Sequence, residues 1–394
     1  MNRVNIACVG AGYWGKNLVR VFHDLPEVHL SQVCDADPKI RAAIQQQYPE
    51  IQTGADYDLL LADESIDGVV LAVPAVHHYA LARKALEQGK HVYIEKPMTL
   101  NSTDAEHLIE LAEEHDRVLM VGHLLEYHPA VQMLRRLIES GELGDLYYLY
   151  AQRVNLGIVR KDENALWSLA PHDISVILHL LGQKPDAVSA RGECYLQPGI
   201  EDVVFANLHF ADGKMAQLQL SWLDPHRIRR LTVVGSRKMV VFDDVESTEK
   251  VRIYDKSAER PEYDSYGDSI SLRFGDVVIP RLEMAEPLKL ECQHFAECVR
   301  NGQTPLSDGR DGLRVVQVLE AAQASLRQNT VSPTCVPLPN VFQPLQNVRV
   351  AQRCHDRFDY LVPLLCVYGV LVFQDGFPSQ SDFCIRSFAQ QQFL

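Results

Sequence analysis

The first strand-like run of the chain leads directly into a glycine-rich turn. The segment VNIACVG is followed by AGYWG, so Gly10, Gly12 and Gly15 have the spacing G-x-G-x-x-G between a predicted strand and a predicted helix. Glycines at these positions permit a tight turn and a close approach of the backbone to a ligand, and the helix N-terminus can receive a pyrophosphate. Tyr13 and Trp14 lie inside the motif. All five residues are therefore predicted to bind a dinucleotide.

An acidic residue stands where the second strand should end. Asp35 follows the run LSQVC, twenty residues after Gly15. A carboxylate there can accept hydrogen bonds from the hydroxyls of an adenosine ribose and would repel a 2'-phosphate. The predicted cofactor is therefore NAD rather than NADP. The alternative interpretation is an ordinary glycine turn followed by a solvated aspartate.

The pattern of strands and helices divides the chain into three parts. Residues 1–122 alternate β-branched runs with helical patterns, which predicts an α/β domain with a doubly wound parallel sheet of the Rossmann type. Residues 123–330 hold strand-like runs at hairpin spacing and predict an α+β domain with an open, mostly antiparallel sheet, for substrate binding and oligomerisation. Residues 331–394 contain neither Lys nor Glu and form an atypical C-terminal tail, whose order the composition leaves open.

Composition excludes several classes of partner. The formal net charge is -14 and no dense run of Lys and Arg occurs, so a nucleic-acid partner is not expected. The apolar run FDYLVPLLCVYGVLVF carries Asp359 and Pro363 and is shorter than the roughly 18 residues of a membrane span, so no membrane partner is expected. Nine cysteines without a C-x-x-C pair favour reduced thiols and no metal site. A start without a signal-peptide pattern predicts a cytoplasmic protein.

Two further segments stand where later strands of the parallel sheet should end. AVPAVHH contains Pro74 and His78, and YIEKP contains Glu95, Lys96 and Pro97. Ligands of open α/β sheets lie outside the carboxyl ends of the strands, so these residues are predicted to line the cofactor crevice. Position alone proves little, because a lysine at a strand end is more often a solvated charge.

Five segments in this order resemble one family: GAGYWG, Asp35, the stretch from Pro74 to His78, GKHVYIEKP and PHDISVILHLLG. They are similar to the Gfo/Idh/MocA family of NAD(P)-dependent sugar and cyclitol oxidoreductases. The resemblance implies that Lys96 and His172 flank the reacting carbinol and are the catalytic residues. It also implies a cis Lys96–Pro97 bond and packing of the open sheet into a homodimer or homotetramer.

Within the family, two segments are similar to the branch that acts on nucleotide-activated amino sugars. They are GHLLEYHPAV and RVNLGIVRKDENALWSLAPHDISVILHLLG. The branch includes 3-dehydrogenases of UDP-N-acetylglucosamine and UDP-N-acetylglucosaminuronate, which implies oxidation at C3 in surface polysaccharide biosynthesis. The residues predicted to bind substrate are His123, Tyr127, Asn155, Arg160, Asn164, Ser168 and His172.

Other interpretations remain open at this stage. Many family members carry Asp four residues before the histidine, whereas this chain has Ser168, whose hydroxyl can only hydrogen-bond. Pro171 suits a first helical turn, so His172 could simply belong to a helix start. His123 and Tyr127 could belong to a segment that joins the domains. The substrate could be a free aldose or inositol, or the protein could be a regulator that binds NAD or sugar without turnover.

Overall fold

The N-terminal half of the protein is built around a parallel sheet. The computed structural model describes residues 3–259 and 271–328. Six strands pair in the order β3-β2-β1-β4-β5-β6, and the order reverses between β1 and β4, where such sheets bind ligands. The strands are β1 (Val4–Val9), β2 (Val28–Cys34), β3 (Gln52–Gly54), β4 (Gly68–Leu71), β5 (His91–Glu95) and β6 (Leu119–Gly122). The predicted doubly wound sheet is confirmed, although the short β3 was not anticipated.

Helices cover both faces of this sheet. Asn101 caps α5 by accepting a hydrogen bond from the Asp104 amide, and Asp37 caps α2, which starts at a proline. Phe22 is buried on one face of the sheet and Leu86 on the other. The helices are α1 (Gly15–Asp24), α2 (Pro38–Gln47), α3 (Tyr57–Leu61), α4 (His78–Glu87) and α5 (Ser102–Glu114). The short α3 was not predicted.

A second sheet of eight strands confirms the predicted open, mostly antiparallel architecture. Its strand order is β14-β13-β12-β11-β7-β10-β9-β8, and only the β7–β10 pair is parallel among the described strands. The strands are β7 (Leu146–Val154), β8 (Ala187–Glu193), β9 (Val203–His209), β10 (Met215–Ser221), β11 (Ile228–Gly235), β12 (Met239–Asp243), β13 (Val251–Glu259) and β14 (Ser271–Val278). The strand β14 was not predicted from the sequence, and it is exposed along its whole length.

Helices cover one face of the second sheet. Alternate strand residues such as Leu149, Ala206 and Leu218 share a core with Ile177 of a helix that lies across them. The helices of this part are α6 (Pro129–Glu139), α7 (Ala165–Leu181), α8 (Pro287–Asn301) and α9 (Gly309–Gln328). The intervening strand residues point to the opposite face, because side chains alternate along a strand. That face exposes apolar side chains, among them Tyr148, Phe205 and Met215.

The last two helices pack partly against the first sheet, which the order of segments along the chain did not indicate. Phe295 of α8 makes edge contacts with Phe22 and Tyr93, with ring centroids 6.3 and 5.8 Å apart. Just before α9, Asp308 forms an isolated β-bridge with Met120 at the edge of the parallel sheet. The helix α9 itself contacts both α5 and α7. These contacts fix the second sheet relative to the cofactor-binding end of the first.

The start of α7 differs from the prediction. The helix begins at Ala165, with Asn164 as its N-cap, and Pro171 lies inside it rather than in its first turn. The interpretation of His172 as part of a helix start is therefore wrong, because a complete turn precedes it. The predicted end at Gly182 is confirmed, since this residue has a left-handed φ of 65°.

None of the helices within residues 3–259 and 271–328 combines the length and apolarity that a bilayer span needs. The proposed tail, residues 331–394, and its apolar run lie outside the described residues.

The cap of α7 generates a stability prediction. The Asn164 side chain accepts a hydrogen bond from the Trp167 amide, and its Nδ2 donates to Glu201 and Gln323 at 2.7 and 2.9 Å. Asn164→Ala should lower the free energy of unfolding by about 1–3 kcal/mol in urea titrations, since a cap and buried partners are lost together. Asn164→Ser keeps a capping oxygen and should lower the free energy of unfolding by less than the alanine variant does. Equal stability of wild type and the alanine variant would contradict this role.

Candidate active site

The glycine turn between β1 and α1 leaves no room for side chains at two positions. Gly10 has a φ of +85°, and a Cβ there would lie 2.6 Å from the carbonyl oxygen of Ala72. A Cβ on Gly15 would lie 2.1 Å from the carbonyl oxygen of Gly10. Gly12, in contrast, has open space around the corresponding position. The turn therefore packs tightly on the β4 end while its outer edge stays open to a ligand, as a pyrophosphate at a helix N-terminus requires.

Asp35 lies beside this turn at the end of β2. Its Oδ2 accepts a hydrogen bond from the Ala11 amide at 2.8 Å, and its Oδ1 accepts one from the Asp37 amide at 2.9 Å. A carboxylate has about four acceptor positions, so both oxygens retain capacity for the hydroxyls of a ribose. The two backbone hydrogen bonds fix the orientation of the carboxylate.

The glycine turn is connected to the YIEKP segment by Trp14. Its indole Nε1 donates a 2.6 Å hydrogen bond to Glu95 Oε1 at the end of β5. Burial raises the pKa of Glu95, and the indole bond partly counteracts that rise. Tyr13 is 80% exposed beside the turn, so its ring is available to a ligand. The contact between Trp14 and Glu95 was not visible in the sequence, because 81 residues separate the partners.

The imidazole of His78 contacts the backbone of the YIEKP segment. The side chain is buried, its Nδ1 lies 2.8 Å from the carbonyl oxygen of Pro97, and its Nε2 lies 2.9 Å from that of Val73. Pro74 follows Val73 and precedes a short 3-10 turn. The Lys96–Pro97 peptide bond is cis, as predicted. Because both ring nitrogens lie close to backbone carbonyls, His78 lies between these two segments and contacts each of them.

Lys96 and His172 are brought together at the junction of β5 and α7. The Lys96 Nζ donates a hydrogen bond of 3.3 Å to the backbone carbonyl of Ser168, one turn before His172. Burial lowers the pKa of Lys96. Burial lowers the pKa of His172 well below 6.5, and the charges of Lys96 and Arg153 lower it further. His172 is therefore neutral at physiological pH.

Ser168 contributes its backbone rather than its side chain to the observed contacts. Within the part of the chain that the structure describes, its hydroxyl makes no hydrogen bond. The carboxylate nearest in sequence to His172 is Asp173, which is buried and forms a bidentate pair with Arg153 at 2.8 Å for both contacts. Arg153 and Asp173 were not singled out from the sequence, although Asp173 directly follows the histidine.

His123 belongs to a buried polar cluster at the end of β6. Its Nδ1 lies 2.7 Å from Asp311 Oδ2 of α9 and 3.4 Å from Glu126 Oε1. Asp311 also accepts a hydrogen bond from Arg314. These hydrogen bonds raise the pKa of His123 to about 10 despite its burial. Burial raises the pKa of Glu126 to about 8.

The cluster contains the kinds of side chain that bind metal ions. His123, Glu126 and Asp311 offer ligand atoms that lie within 4.8 Å of one another. Two ligands on a tetrahedral zinc ion with bonds of about 2.0–2.1 Å would be roughly 3.3 Å apart. The 2.7 Å separation between His123 and Asp311 is instead that of a charge-assisted hydrogen bond. The geometry therefore favours a hydrogen-bonded ion pair between His123 and Asp311 over a metal ion at these atoms.

The other predicted substrate-binding residues are placed differently. Tyr127 is buried and its hydroxyl lies 3.0 Å from Ser307 Oγ, so it packs between elements. Asn164 is occupied by capping α7. Arg160 is exposed, pairs with Glu163 at 2.9 Å, and is near enough to Lys96 to influence its pKa. Asn155 is partly exposed directly after β7, and its backbone amide donates a hydrogen bond to the backbone carbonyl of Ser221.

A dinucleotide-binding sheet with a lysine and a neutral histidine at its carboxyl end defines an NAD-dependent oxidoreductase. Residues 4–123 match the family model described as oxidoreductase family, NAD-binding Rossmann fold, and residues 131–241 match the GFO/IDH/MocA C-terminal domain. The chain belongs to the Gfo/Idh/MocA family, and NAD is its cofactor. The open edge at Gly12 and the acceptors of Asp35 fit that cofactor.

Several characterised proteins are similar to this chain. The scyllo-inositol 2-dehydrogenase (NAD(+)) of Bacillus subtilis is 28% identical over 345 residues, which cover 83% of this chain and 95% of that protein. The 2,7-anhydro-N-acetylneuraminate hydratase of Escherichia coli is 27% identical over 272 residues, covering 64% and 70%. The UDP-N-acetylglucosamine 3-dehydrogenase of Acidithiobacillus ferrooxidans is 29% identical over 261 residues, covering 66% and 79%. Its solved structure superposes with a TM-score of 0.70 at 24% identity, covering 83% of this chain and 99% of that one.

The buried cluster gives a pH prediction. Folded Glu126 keeps a proton that the unfolded chain releases above 4.5, so the stability it contributes is complete below 4.5 and is lost as pH rises to about 8. Glu126→Gln should flatten the decline in unfolding free energy across that window, by up to about 1.4 kcal/mol per pH unit for one proton. Chemical denaturation at several pH values measures the slope. The exposed Glu110→Gln is the control, and identical profiles for wild type and Glu126→Gln would refute the assignment.

Proposed function

We propose that this protein is an NAD-dependent dehydrogenase that oxidises the C3 hydroxyl of a nucleotide-activated amino sugar, such as UDP-N-acetylglucosamine or UDP-N-acetylglucosaminuronate, in surface polysaccharide biosynthesis. The observation that carries the proposal is the pairing of Lys96 with the α7 turn that bears His172. Similarity to the Acidithiobacillus ferrooxidans enzyme supports the choice of substrate.

The roles of the two residues follow from their charge states. Alcohol oxidation needs a base for the hydroxyl proton and a positive charge beside the developing alkoxide. His172, held neutral by burial and neighbouring cations, takes the proton at its imidazole. Lys96, fixed by the Ser168 carbonyl, directs positive charge toward the same oxygen. The glycine turn and Asp35 would hold NAD, which would supply the hydride acceptor for the carbinol carbon.

The remaining residues of the site support this arrangement. Trp14 and Glu95 hold the glycine turn against the end of β5, and His78 contacts the backbone carbonyl of Pro97, the residue after Lys96. Ser168 sets the lysine through its carbonyl oxygen, which a substitution of the side chain leaves in place. A serine at this position is therefore compatible with catalysis.

A second candidate keeps the enzyme and changes its substrate to a free inositol or aldose. The observation in its favour is the similarity to the scyllo-inositol 2-dehydrogenase, which extends over 95% of that protein. A regulator that binds NAD without turnover is the third possibility, and the presence of both Lys96 and His172 argues against it.

Turnover distinguishes these candidates. We expect NADH absorbance to rise when the protein is mixed with NAD and UDP-N-acetylglucosamine, and to rise less with scyllo-inositol or free aldoses. His172→Ala and Lys96→Met should each reduce kcat by about 10²–10⁴-fold, because a general base and a preorganised charge are lost. The exposed Lys289→Met is the matched control. Faster turnover of scyllo-inositol would select the second candidate, and NAD binding without turnover of any sugar the third.

We also propose that the protein forms a homodimer or homotetramer through the open face of the eight-stranded sheet. Tyr148, Phe205 and Met215 are each more than 40% exposed on that face. Contiguous exposed apolar surface commonly marks an interaction site.

Light scattering after size-exclusion chromatography tests this interface. Wild type should have at least twice the mass of one chain. Phe205→Glu should shift it to the monomer, because a carboxylate is costly to bury in an apolar interface. The same substitution at Leu59, which is 72% exposed on α3, should not change the mass. A monomeric wild type would disprove the proposal.

A further inference from the structure

Two arginines face each other across neighbouring strands beside the candidate base. Arg229 of β11 pairs in register with Arg153 of β7, and both side chains lie on the face that α7 covers. Like charges directly opposite each other destabilise a sheet. Arg153 is neutralised by its bidentate pair with Asp173, the residue after His172. Among the described residues, Arg229 has no equivalent bidentate partner.

The guanidinium of Arg229 is poorly compensated. Across residues 3–259 and 271–328 its side chain makes no hydrogen bond, and its nearest carboxylate oxygen, on Asp244, is 3.8 Å away. Asp244 is shared with His128 and Lys250, at 3.8 and 3.9 Å. Burial and the charges of Arg153 and Arg227 lower the pKa of Arg229, so its protonated form is held at a cost.

The position of Arg229 is nevertheless open to a ligand. Its side chain is 42% exposed. Together with Arg153, Asp173 and Phe242 it lines a small cleft. The cleft is much smaller than the roughly 300–1,000 Å³ of a pocket for a whole drug-sized ligand, so the exposed guanidinium is the part of it that one charged group of a larger substrate can reach. The charge of Arg229 also reaches His172, since it contributes to the lowered pKa of that histidine.

We infer that Arg229, backed by the Arg153–Asp173 pair, is an anion subsite that binds the phosphate or carboxylate group of the sugar substrate beside His172. The guanidinium fork matches either anion with two parallel hydrogen bonds. An anion at this position would relieve the repulsion between the two arginines. The inference rests on the proposed function and deepens it, because it restricts the substrate to sugars that carry a negative charge.

Kinetics with charged and neutral sugars test this subsite. Arg229→Gln should raise KM at least tenfold for an anionic substrate and change KM for neutral scyllo-inositol less than twofold. UDP-N-acetylglucosamine supplies phosphate and D-glucuronate supplies carboxylate, so the substrate whose KM rises identifies the anion. Arg136→Gln, an exposed change on α6, is the matched control for net charge. An equal rise for neutral and anionic sugars, or no rise, would overturn the inference.

A binding measurement separates failure of the subsite from failure of the proposed function. Calorimetric titration of the NAD-loaded protein with UDP and with D-glucuronate needs no turnover. We expect at least tenfold weaker binding of one of them to Arg229→Gln, and an intermediate loss for Arg229→Lys, which keeps the charge but not the fork. The melting temperature of Arg229→Gln should equal or exceed that of wild type, since a repulsion is removed. Unchanged affinity for both anions would refute the subsite even if the enzyme oxidises a sugar.

Discussion

A hydrogen bond from Lys96 to the backbone of α7 connects the cofactor-binding sheet to the helix that bears His172. A lysine at the end of a strand ordinarily extends into water. Here the Nζ of Lys96 donates a hydrogen bond to the backbone carbonyl of Ser168 in α7. Burial disfavours the charged form of this lysine, so its ammonium is strongly drawn to any developing negative charge. Burial lowers the pKa of His172, and the positive charge of Lys96 lowers it further. Burial at the same junction thus acts on both residues of the proposed catalytic pair.

Local features of the fold could be predicted from the sequence, and long-range ones could not. The glycine turn and the aspartate after β2 could be predicted because each depends on residues close to it in sequence. The structure places Asp35 beside the turn. The cis bond before Pro97 was implied by resemblance alone. The helix α7 was expected to start near Pro171, because proline favours a first turn, but Asn164 supplies a stronger start one and a half turns earlier. No local pattern indicated that α8 packs on the first sheet.

The candidate site was predicted incompletely for the same physical reason. Lys96 and His172 belong to distinctive segments, whereas Arg153 and Arg229 lie in ordinary alternating strands and gain meaning only when the register pairs them. Conversely, Asn164 and Tyr127 have polar groups that suit a substrate, but internal partners occupy them. The type of a polar residue therefore showed that it can form a hydrogen bond. Which group it bonds to depends on the tertiary structure.

The packing of α8 also determines how the chain can be divided. The ring of Phe295 completes a cluster with Phe22 and Tyr93, yet it is contributed from beyond the whole second sheet. A fragment that ends at Gly122 would contain every strand of the cofactor-binding sheet and still expose these two rings to water. Burying such side chains is worth about 1.5–3 kcal/mol each, a large share of the stability of a small domain. The core of the cofactor-binding part is thus formed by segments that are distant in sequence. Its folding depends on residues that are synthesised after the second sheet.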